Sequence, residues 1–164
     1  MPNLFTMRAT APLMSVLAGL AIALLALPSW AEPLYPNPSS ARSDIDSALA
    51  QAASSHKRVL VQFGANWCGD CKALDANLHK PENAALLSAH FVLVHVNVGE
   101  HGIDHNLDLA QSYGIPLDKG VPALAVLDGD GRVVFSQKNG EFEAMSRMDP
   151  RSVNAFLARW KPGG

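Results

Sequence analysis

The chain has 164 residues, which is enough for one domain with a packed core and leaves little room for a second. Hydrophobic residues make up 48% and charged residues 17%, which suits a globular protein and excludes a collagen, a coiled coil or a wholly disordered chain. The formal net charge is -2 and the 13 Lys and Arg residues are scattered along the chain, so the sequence predicts no nucleic-acid partner.

The N-terminal segment, residues 1–31, has the layout of a secretory signal peptide. Arg8 precedes an uncharged apolar run over residues 13–27, and the small residues Ser29 and Ala31 stand at the -3 and -1 positions of a cleavage site. As a helix the run extends only about 22 Å, short of the roughly 30 Å core of a bilayer. We therefore expect cleavage after Ala31, export to the periplasm or a similar oxidising space, and membrane contact only during export. An uncleaved membrane anchor is the alternative.

The first part of the exported chain is predicted to be a lead-in to the folded domain. Residues 32–42 hold three prolines and no periodic apolar pattern, so we expect an extended tether without a chemical role. The folded domain then covers residues 43–164. Ser43 is placed to cap a first helix that begins at Asp44. Residues 59–63, with the sequence VLVQF, predict a buried strand.

The rest of the chain alternates predicted helices and strands. A helix is expected to begin near the two cysteines and to end before Pro81. The remaining predicted elements are a short helix at 83–89, strands at 91–98, 121–127 and 132–137, and helices at 107–113 and from Asp149 onward. Asp-Gly-Asp-Gly between the last two strands predicts a hairpin. This order predicts an α/β fold, with a mixed central sheet that helices cover on both faces.

The motif that carries chemistry is a pair of cysteines, Cys68 and Cys71, where the first strand passes into a helix. The free amides and the dipole of a helix N-terminus stabilise a thiolate on Cys68. Cys71, one turn later, can then close a disulfide by thiol–disulfide exchange. Two other interpretations stay open at this point. They are a purely structural disulfide, and part of a metal site to which histidines such as His101 and His105 contribute.

The segment Trp67-Cys68-Gly69-Asp70-Cys71, directly after a buried strand, resembles the active site of the thioredoxin family. Val121-Pro122, just before a later strand, matches the position of that family's cis-proline loop. The resemblance implies a thioredoxin fold, with Cys68 as the nucleophile and Cys71 as the resolving thiol. It implies no cofactor besides the redox-active disulfide between these two residues.

The same resemblance implies which residues contact a substrate. Trp67 is expected to be an exposed ring that flanks the nucleophile, with Gly69 on its other side. The cis-proline loop, Val121 and Pro122, is expected to face the cysteines so that its backbone contacts the substrate. A plain proline at the entry of a strand is the alternative for Pro122.

Two positions beside the cysteines depart from the family pattern. Thioredoxins carry a buried aspartate at the position of Gln62 and a lysine at the position of His95, and a glutamine cannot accept a proton at ordinary pH. Because an imidazole titrates near neutral pH, we hypothesise that His95, or a water between Gln62 and His95, manages the proton of Cys71. A core histidine that bonds to the backbone is the alternative.

Asp70 is the third departure, since this position is proline in ordinary thioredoxins and histidine in more oxidising relatives. A carboxylate there opposes a thiolate on Cys68 and raises the pKa of that cysteine. A less stable thiolate makes the reduced form of the cysteine pair less favoured. We therefore expect a more negative reduction potential than that of the oxidising relatives, and a protein that acts as a reductant. A solvated acid that only favours the helix dipole is the alternative.

Together these features predict an exported thiol:disulfide oxidoreductase that reduces or exchanges disulfides in client proteins. In an oxidising space a reductase must itself be recharged, so a membrane electron donor is the second expected partner. The alternatives are a disulfide oxidase or isomerase, and a module of thioredoxin fold in which the cysteines hold copper or zinc.

Overall fold

The computed structural model describes residues 32–149 and 151–163. The predicted signal peptide at residues 1–31 lies outside the described residues, and so does Pro150. Of the helices in the described part of the chain, none has the length and apolar character needed to cross a membrane.

A mixed sheet of four strands forms the centre of the described fold. In chain order the strands are β1 (Arg58–Gly64), β2 (Phe91–Asn97), β3 (Ala123–Leu127) and β4 (Val133–Ser136). Their order across the sheet is β2-β1-β3-β4. The pairing of β1 with β2 is parallel, whereas β1 with β3 and β3 with β4 are antiparallel. The mixed sheet and the hairpin that the sequence predicts are therefore confirmed.

Helices cover both faces of this sheet. In chain order they are α1 (Ala41–Ser55), α2 (Gly69–Leu78), α3 (Pro81–His90), α4 (Leu107–Ser112) and α5 (Arg151–Trp160). One apolar core lies between the sheet and α1 with α4, and the second lies between the sheet and α2, α3 and α5. Strand β1 is central and buried on both faces, so a residue at its end is enclosed on both sides.

The start of α1 differs from the prediction. The helix begins at Ala41 instead of Asp44, so Ser43 lies inside its first turn and the end of the lead-in is helical. A 3-10 turn over Pro38–Ser40 precedes α1 directly, and the side chain of Asn37 accepts a backbone N–H of that turn. The helical segment is therefore capped at Asn37, upstream of the residue that the sequence favoured.

The other predicted elements lie within two residues of their expected ends. Two of the differences follow from proline. Strand β3 begins at Ala123, because Pro122 has no N–H to donate to a neighbouring strand. Helix α3 begins at Pro81, two residues early, because the first helical position needs no N–H donor.

The C-terminus of α1 yields a test of backbone strain. His56 ends the helix with φ 56° and ψ 35°, and its N–H bonds to the carbonyl of Ala52. A residue with a Cβ is strained in this left-handed region and glycine is not. We expect His56→Gly to raise the free energy of unfolding by about 0.5–1 kcal/mol in urea denaturation. Ser55→Gly, one residue earlier and helical, is the control and is expected to lower it. A His56→Gly protein less stable than the wild type would contradict the argument.

Candidate active site

The two cysteines lie at the N-terminus of α2, close to the end of β1. Cys68 is the residue that caps the helix, and its Sγ accepts the backbone N–H of Cys71 at 3.1 Å. The two sulfurs are joined in a disulfide with an S–S distance of 2.10 Å. Cys68 is 6% exposed and Cys71 is fully buried. In the part of the chain that the structure describes, the disulfide is therefore accessible to a partner only on the side of Cys68.

The residues that the resemblance implies for substrate binding lie around Cys68. Trp67 is 46% exposed, and its indole N–H donates to a backbone carbonyl of the loop after β2 at 3.0 Å. Gly69 faces open space: apart from its chain neighbours and the backbone of its own helix, no atom lies within 4 Å of the point where a Cβ would lie. The Val121–Pro122 peptide bond is cis, and the carbonyl oxygen of Val121 lies 3.7 Å from Cys68 Sγ. The surface around Cys68, which we call the rim, therefore consists of the backbone of Gly69 and Val121 beside the ring of Trp67.

Behind the disulfide lies Tyr35, a residue of the lead-in to which the sequence assigned no role. Its side chain is 1% exposed and packs in one cluster with both cysteines. Tyr35 Oη and Cys71 Sγ both lie within 2.8 Å of the point where Gly64 would carry a Cβ. The lead-in thus packs against the cysteines through Tyr35, which the expectation of an extended tether did not include. The one sequence signal for it is an apolar pair, Leu34-Tyr35, among the prolines.

Three asparagines hold this part of the lead-in, residues 34–38, which we call the strap. Asn66 bonds to both backbone groups of Tyr35, accepting its N–H at 3.0 Å and donating to its carbonyl at 2.8 Å. Asn97 and Asn106 each donate from Nδ2 to the carbonyl of a strap proline at 2.9 Å. Because these bonds satisfy backbone groups that β-sheet pairing leaves open, they fix the path of the strap across the site.

Gln62, at the position of the family's aspartate, is fully buried in β1. Its Nε2 donates to Tyr35 Oη at 2.7 Å and to the carbonyl of Cys71 at 3.1 Å. A carbonyl can only accept a hydrogen bond, so the bond to Cys71 sets which end of the Gln62 amide faces the site. Among the described residues, Gln62 Oε1 has no hydrogen-bond partner. Gln62 therefore acts as a donor to the hydroxyl of Tyr35.

His95 pairs with Gln62 in the register of β1 and β2, but its side chain has other partners. His95 Nε2 lies 3.0 Å from Asp75 Oδ1, and its ring packs edge-on against Tyr35 with the ring centroids 5.1 Å apart. Tyr35 is thus the residue that contacts both Gln62 and His95. A proton-handling role for His95 stays a prediction.

Sequence reasoning missed Asp75, the partner of His95. Asp75 follows Cys71 by four residues on α2, and residues four apart share one face of a helix. That spacing is the signal that could have found it. The pair places a carboxylate and a partly exposed imidazole next to the ring of Tyr35.

Asp70 is tied to the C-terminal part of the chain. Its Oδ1 accepts the backbone N–H of Ser146 at 2.8 Å. The hydrogen bonds from Ser146, with a smaller effect of the Arg147 charge, hold the pKa of Asp70 below its usual value. Asp70 is therefore ionised at neutral pH next to Cys68, and it also joins the start of α2 to the 3-10 turn at Met145–Arg147.

The histidines of the loop after β2 do not join the cysteines. His105 Nδ1 lies 2.7 Å from Asp104 Oδ1, and His101 is exposed. Within residues 32–149 and 151–163, no group of three or more His, Cys, Asp and Glu side chains is arranged to hold a metal ion.

Known proteins share this architecture. A family model described as thioredoxin-like matches residues 40–129, more than half of the chain. The crystal structure of a disulphide isomerase from Xylella fastidiosa Temecula1 is similar at 38% sequence identity with a TM-score of 0.72, covering 79% of this chain and 98% of that chain. The thioredoxin fold that the resemblance implied is confirmed.

Curated relatives match over shorter segments. A protein disulfide-isomerase of Ricinus communis is 33% identical over 85 residues, which is 52% of this chain and 16% of that protein. The probable thioredoxin-2 of Caenorhabditis elegans is 36% identical over 101 residues, 60% of this chain and 56% of that protein. This chain therefore spans about a sixth of the plant relative and little more than half of the nematode one.

The Asp75–His95 pair predicts how the free energy of unfolding depends on pH. Burial raises the pKa of Asp75, but the hydrogen bond and charge of His95 outweigh this and hold that pKa below its ordinary value. The ionised Asp75 therefore contributes its full stabilisation of the folded state above about pH 4, which is the pKa of an aspartate in the unfolded chain. This contribution is lost as the pH falls through the lower pKa that Asp75 has in the folded state. We expect Asp75→Asn to be less stable than the wild type at pH 7 and the difference to shrink below about pH 4, measured as urea midpoints.

Asp118→Asn is the control for this pH series, because the side chain of Asp118 is 74% exposed. An exposed carboxylate interacts weakly with its neighbours, so its removal leaves the curve nearly parallel to that of the wild type. A constant offset between Asp75→Asn and the wild type down to about pH 2 would show that the Asp75 charge contributes nothing to stability.

Proposed function

This chain belongs to the thioredoxin-like family of disulfide oxidoreductases, with a CxxC pair at its centre, and we propose that it reduces or exchanges disulfide bonds in client proteins through Cys68 and Cys71. The observation that carries the proposal is the asymmetry of the pair. One sulfur belongs to a helix cap that is 6% exposed, and the other is fully enclosed one turn behind it. This is the arrangement that a two-step exchange needs.

In the first step the Cys68 thiolate attacks one sulfur of a client disulfide. The client S–S bond breaks, a mixed disulfide forms, and the other client sulfur leaves with the electron pair and takes up a proton. The backbone N–H of Cys71, which points at Cys68 Sγ in the oxidised form, and the other free amides of α2 stabilise the attacking thiolate.

In the second step the Cys71 thiolate attacks Cys68 Sγ in the mixed disulfide. The bond between Cys68 and the client breaks, and the client leaves as a second thiol after taking up a proton. The client has then gained two electrons and two protons, and the chain has closed its own disulfide. Cys71 needs little movement for this, because it already lies one helical turn from Cys68.

The client binds, in this proposal, across the rim around Cys68. The exposed ring of Trp67 offers an apolar contact, and the carbonyl of Val121 accepts a hydrogen bond from an extended client backbone. Gly69 leaves the approach to Cys68 open, since no atom from elsewhere in the chain lies within 4 Å of its Cβ position. Pro122 is buried beneath this surface and holds the loop against the cysteines.

We propose that electrons flow from this protein to its clients. The ionised Asp70 beside Cys68 disfavours a second negative charge there, which disfavours the reduced form of the pair. The leader-like residues 1–31 support export, and in a periplasm-like space a membrane electron donor would recharge the dithiol.

Disulfide isomerisation is the second candidate, because the Xylella fastidiosa and Ricinus communis relatives are both named disulfide isomerases. The same Cys68 chemistry serves both activities. An isomerase releases the mixed disulfide to another client thiol before Cys71 closes the ring, whereas a reductase closes it first.

The two cysteines predict distinct phenotypes. We expect Cys68→Ser to abolish thiol-dependent reduction of insulin, because no nucleophile then reaches the client. Cys71→Ser should retain the first step and accumulate a mixed disulfide, seen as a mass increase of one client chain. Refolding of scrambled ribonuclease in the same preparations separates the two candidates, since an isomerase keeps activity in Cys71→Ser and a reductase does not. Insulin reduction by Cys68→Ser at the wild-type rate would contradict the proposal.

Asp70 predicts the direction of a change in potential. Asp70→Asn removes the charge but keeps an oxygen that can accept the N–H of Ser146. We expect its reduction potential to rise by about 30 mV for each unit by which the pKa of Cys68 falls, and Asp70→His to rise further. Asp108→Asn, in the first turn of α4, is the control. The reduction potentials are measured by equilibration with glutathione. Equal potentials in the wild type and all three variants would show that Asp70 does not affect the potential.

A further inference from the structure

We propose that the hydroxyl of Tyr35 is the hydrogen-bond donor to the Cys71 thiolate, and that the strap holds the hydroxyl in position for this bond. This inference rests on the proposed function, because a thiolate forms at Cys71 only if that residue resolves a mixed disulfide.

The enclosed position of Cys71 creates the need for such a donor. Its exposed fraction is 0%, so bulk water does not solvate a negative charge on its sulfur. A buried anion without hydrogen bonds is costly, and each hydrogen bond to it is worth more than one between neutral groups. Gln62, in the place of the family's aspartate, donates to the carbonyl of Cys71 and to Tyr35, so its amide N–H groups are already engaged.

The hydroxyl proton of Tyr35 is available for a hydrogen bond to Cys71. Its hydroxyl oxygen accepts a hydrogen bond from Gln62 Nε2, and the orientation of that amide is set by the carbonyl of Cys71. The single proton of the hydroxyl is therefore left to point elsewhere. Tyr35 Oη and Cys71 Sγ both border the space above Gly64, within 2.8 Å of the point where that residue would carry a Cβ. In the oxidised structure this sulfur is bonded to Cys68, so it becomes a strong acceptor only after reduction.

The surroundings of Tyr35 favour donation over loss of its proton. Burial raises the pKa of Tyr35 far above the neutral range, so the hydroxyl stays protonated while a thiolate forms beside it. The ring is held by the bonds of Asn66 to its backbone and by the edge-on contact with His95. A donor that is fixed before the charge develops requires no reorganisation when it does.

Tyr35 forms and breaks no covalent bond in the reaction. Cys71 loses its proton, attacks Cys68 Sγ and forms the ring disulfide, while the client sulfur leaves with the electron pair of the mixed disulfide and takes up a proton. The Tyr35 hydroxyl keeps its proton throughout and only stabilises the anion. No additional oxidant or reductant is needed.

This role has a signature that a packing role lacks. A thiolate that loses a hydrogen bond is scarcer below its pKa but more nucleophilic once formed, with a Brønsted slope of about 0.4–0.5. If Tyr35→Phe raises the pKa of Cys71 by about one unit, ring closure slows about three- to fourfold at low pH and speeds up about threefold at high pH. The two pH profiles must cross.

The experiment uses the reduced protein and 5,5'-dithiobis(2-nitrobenzoate). Release of the first thionitrobenzoate reports attack by Cys68, and release of the second reports ring closure by Cys71. We expect Tyr35→Phe to leave the first rate within about twofold and to give the crossed profile in the second, with its midpoint about one unit higher. Tyr113→Phe is the matched control, since Tyr113 packs against Phe63 on the other side of β1 and should leave both profiles unchanged.

Three titratable groups near this site stay unchanged in these variants. Asp75 of α2 and His95 of β2 face Tyr35, and Asp44 of α1 lines the same surface groove as His95. Their own titration therefore affects the wild type and the variant alike, so a difference between the two profiles reports the lost hydroxyl.

A second measurement does not depend on ring closure. In a Cys68→Ser background Cys71 is the only thiol, so its thiolate is titrated by absorbance near 240 nm below the pH range in which tyrosine ionises and absorbs there too. Adding Tyr35→Phe should raise the midpoint by about one unit. Equal midpoints with superimposed profiles would overturn the role of Tyr35 while leaving the proposed function intact. A wild-type protein that releases only the first thionitrobenzoate would overturn both.

Discussion

The burial of Cys71 is the constraint on which the rest of the site depends. A sulfur at the first turn of a helix gains stabilising amides only on the side that faces the helix N-terminus, and its other side must be closed by protein. Here the end of β1 closes it, with a glycine at position 64 and an amide at position 62. The space that remains above Gly64 is filled by an aromatic hydroxyl from a distant part of the chain.

In the candidate active site, chain segments that lie far apart in sequence hold the strap together. Three asparagines, from the loop after β1, the end of β2 and the N-cap of α4, each bind strap backbone. Asparagine suits this task because its side chain offers both a donor and an acceptor and can stand in for a neighbouring strand. The result is a segment without strand pairing whose position is nonetheless set by specific hydrogen bonds.

Local sequence signals predicted the parts of the site that are themselves local. The cysteine spacing at a strand-to-helix junction placed both sulfurs, and a proline ahead of an apolar strand placed the loop that faces them. Tyr35 was not predictable in this way, because its partners lie 27 and 31 residues along the chain and a proline-rich segment has no periodicity that indicates burial. Asp75 was within reach of a helical-spacing argument, but its partner His95 is on a different element and only the register of the sheet brings them together.

The anchoring of the strap also implies an order of assembly. The strap precedes all four described strands, yet its asparagine partners at positions 97 and 106 occupy their places only once the sheet and α4 are formed. Bringing such distant segments together carries an entropic cost that the interior contacts of the domain must first offset. The dithiol pocket is therefore closed from behind only in a chain in which the ends of β1 and β2 and the start of α4 are in place.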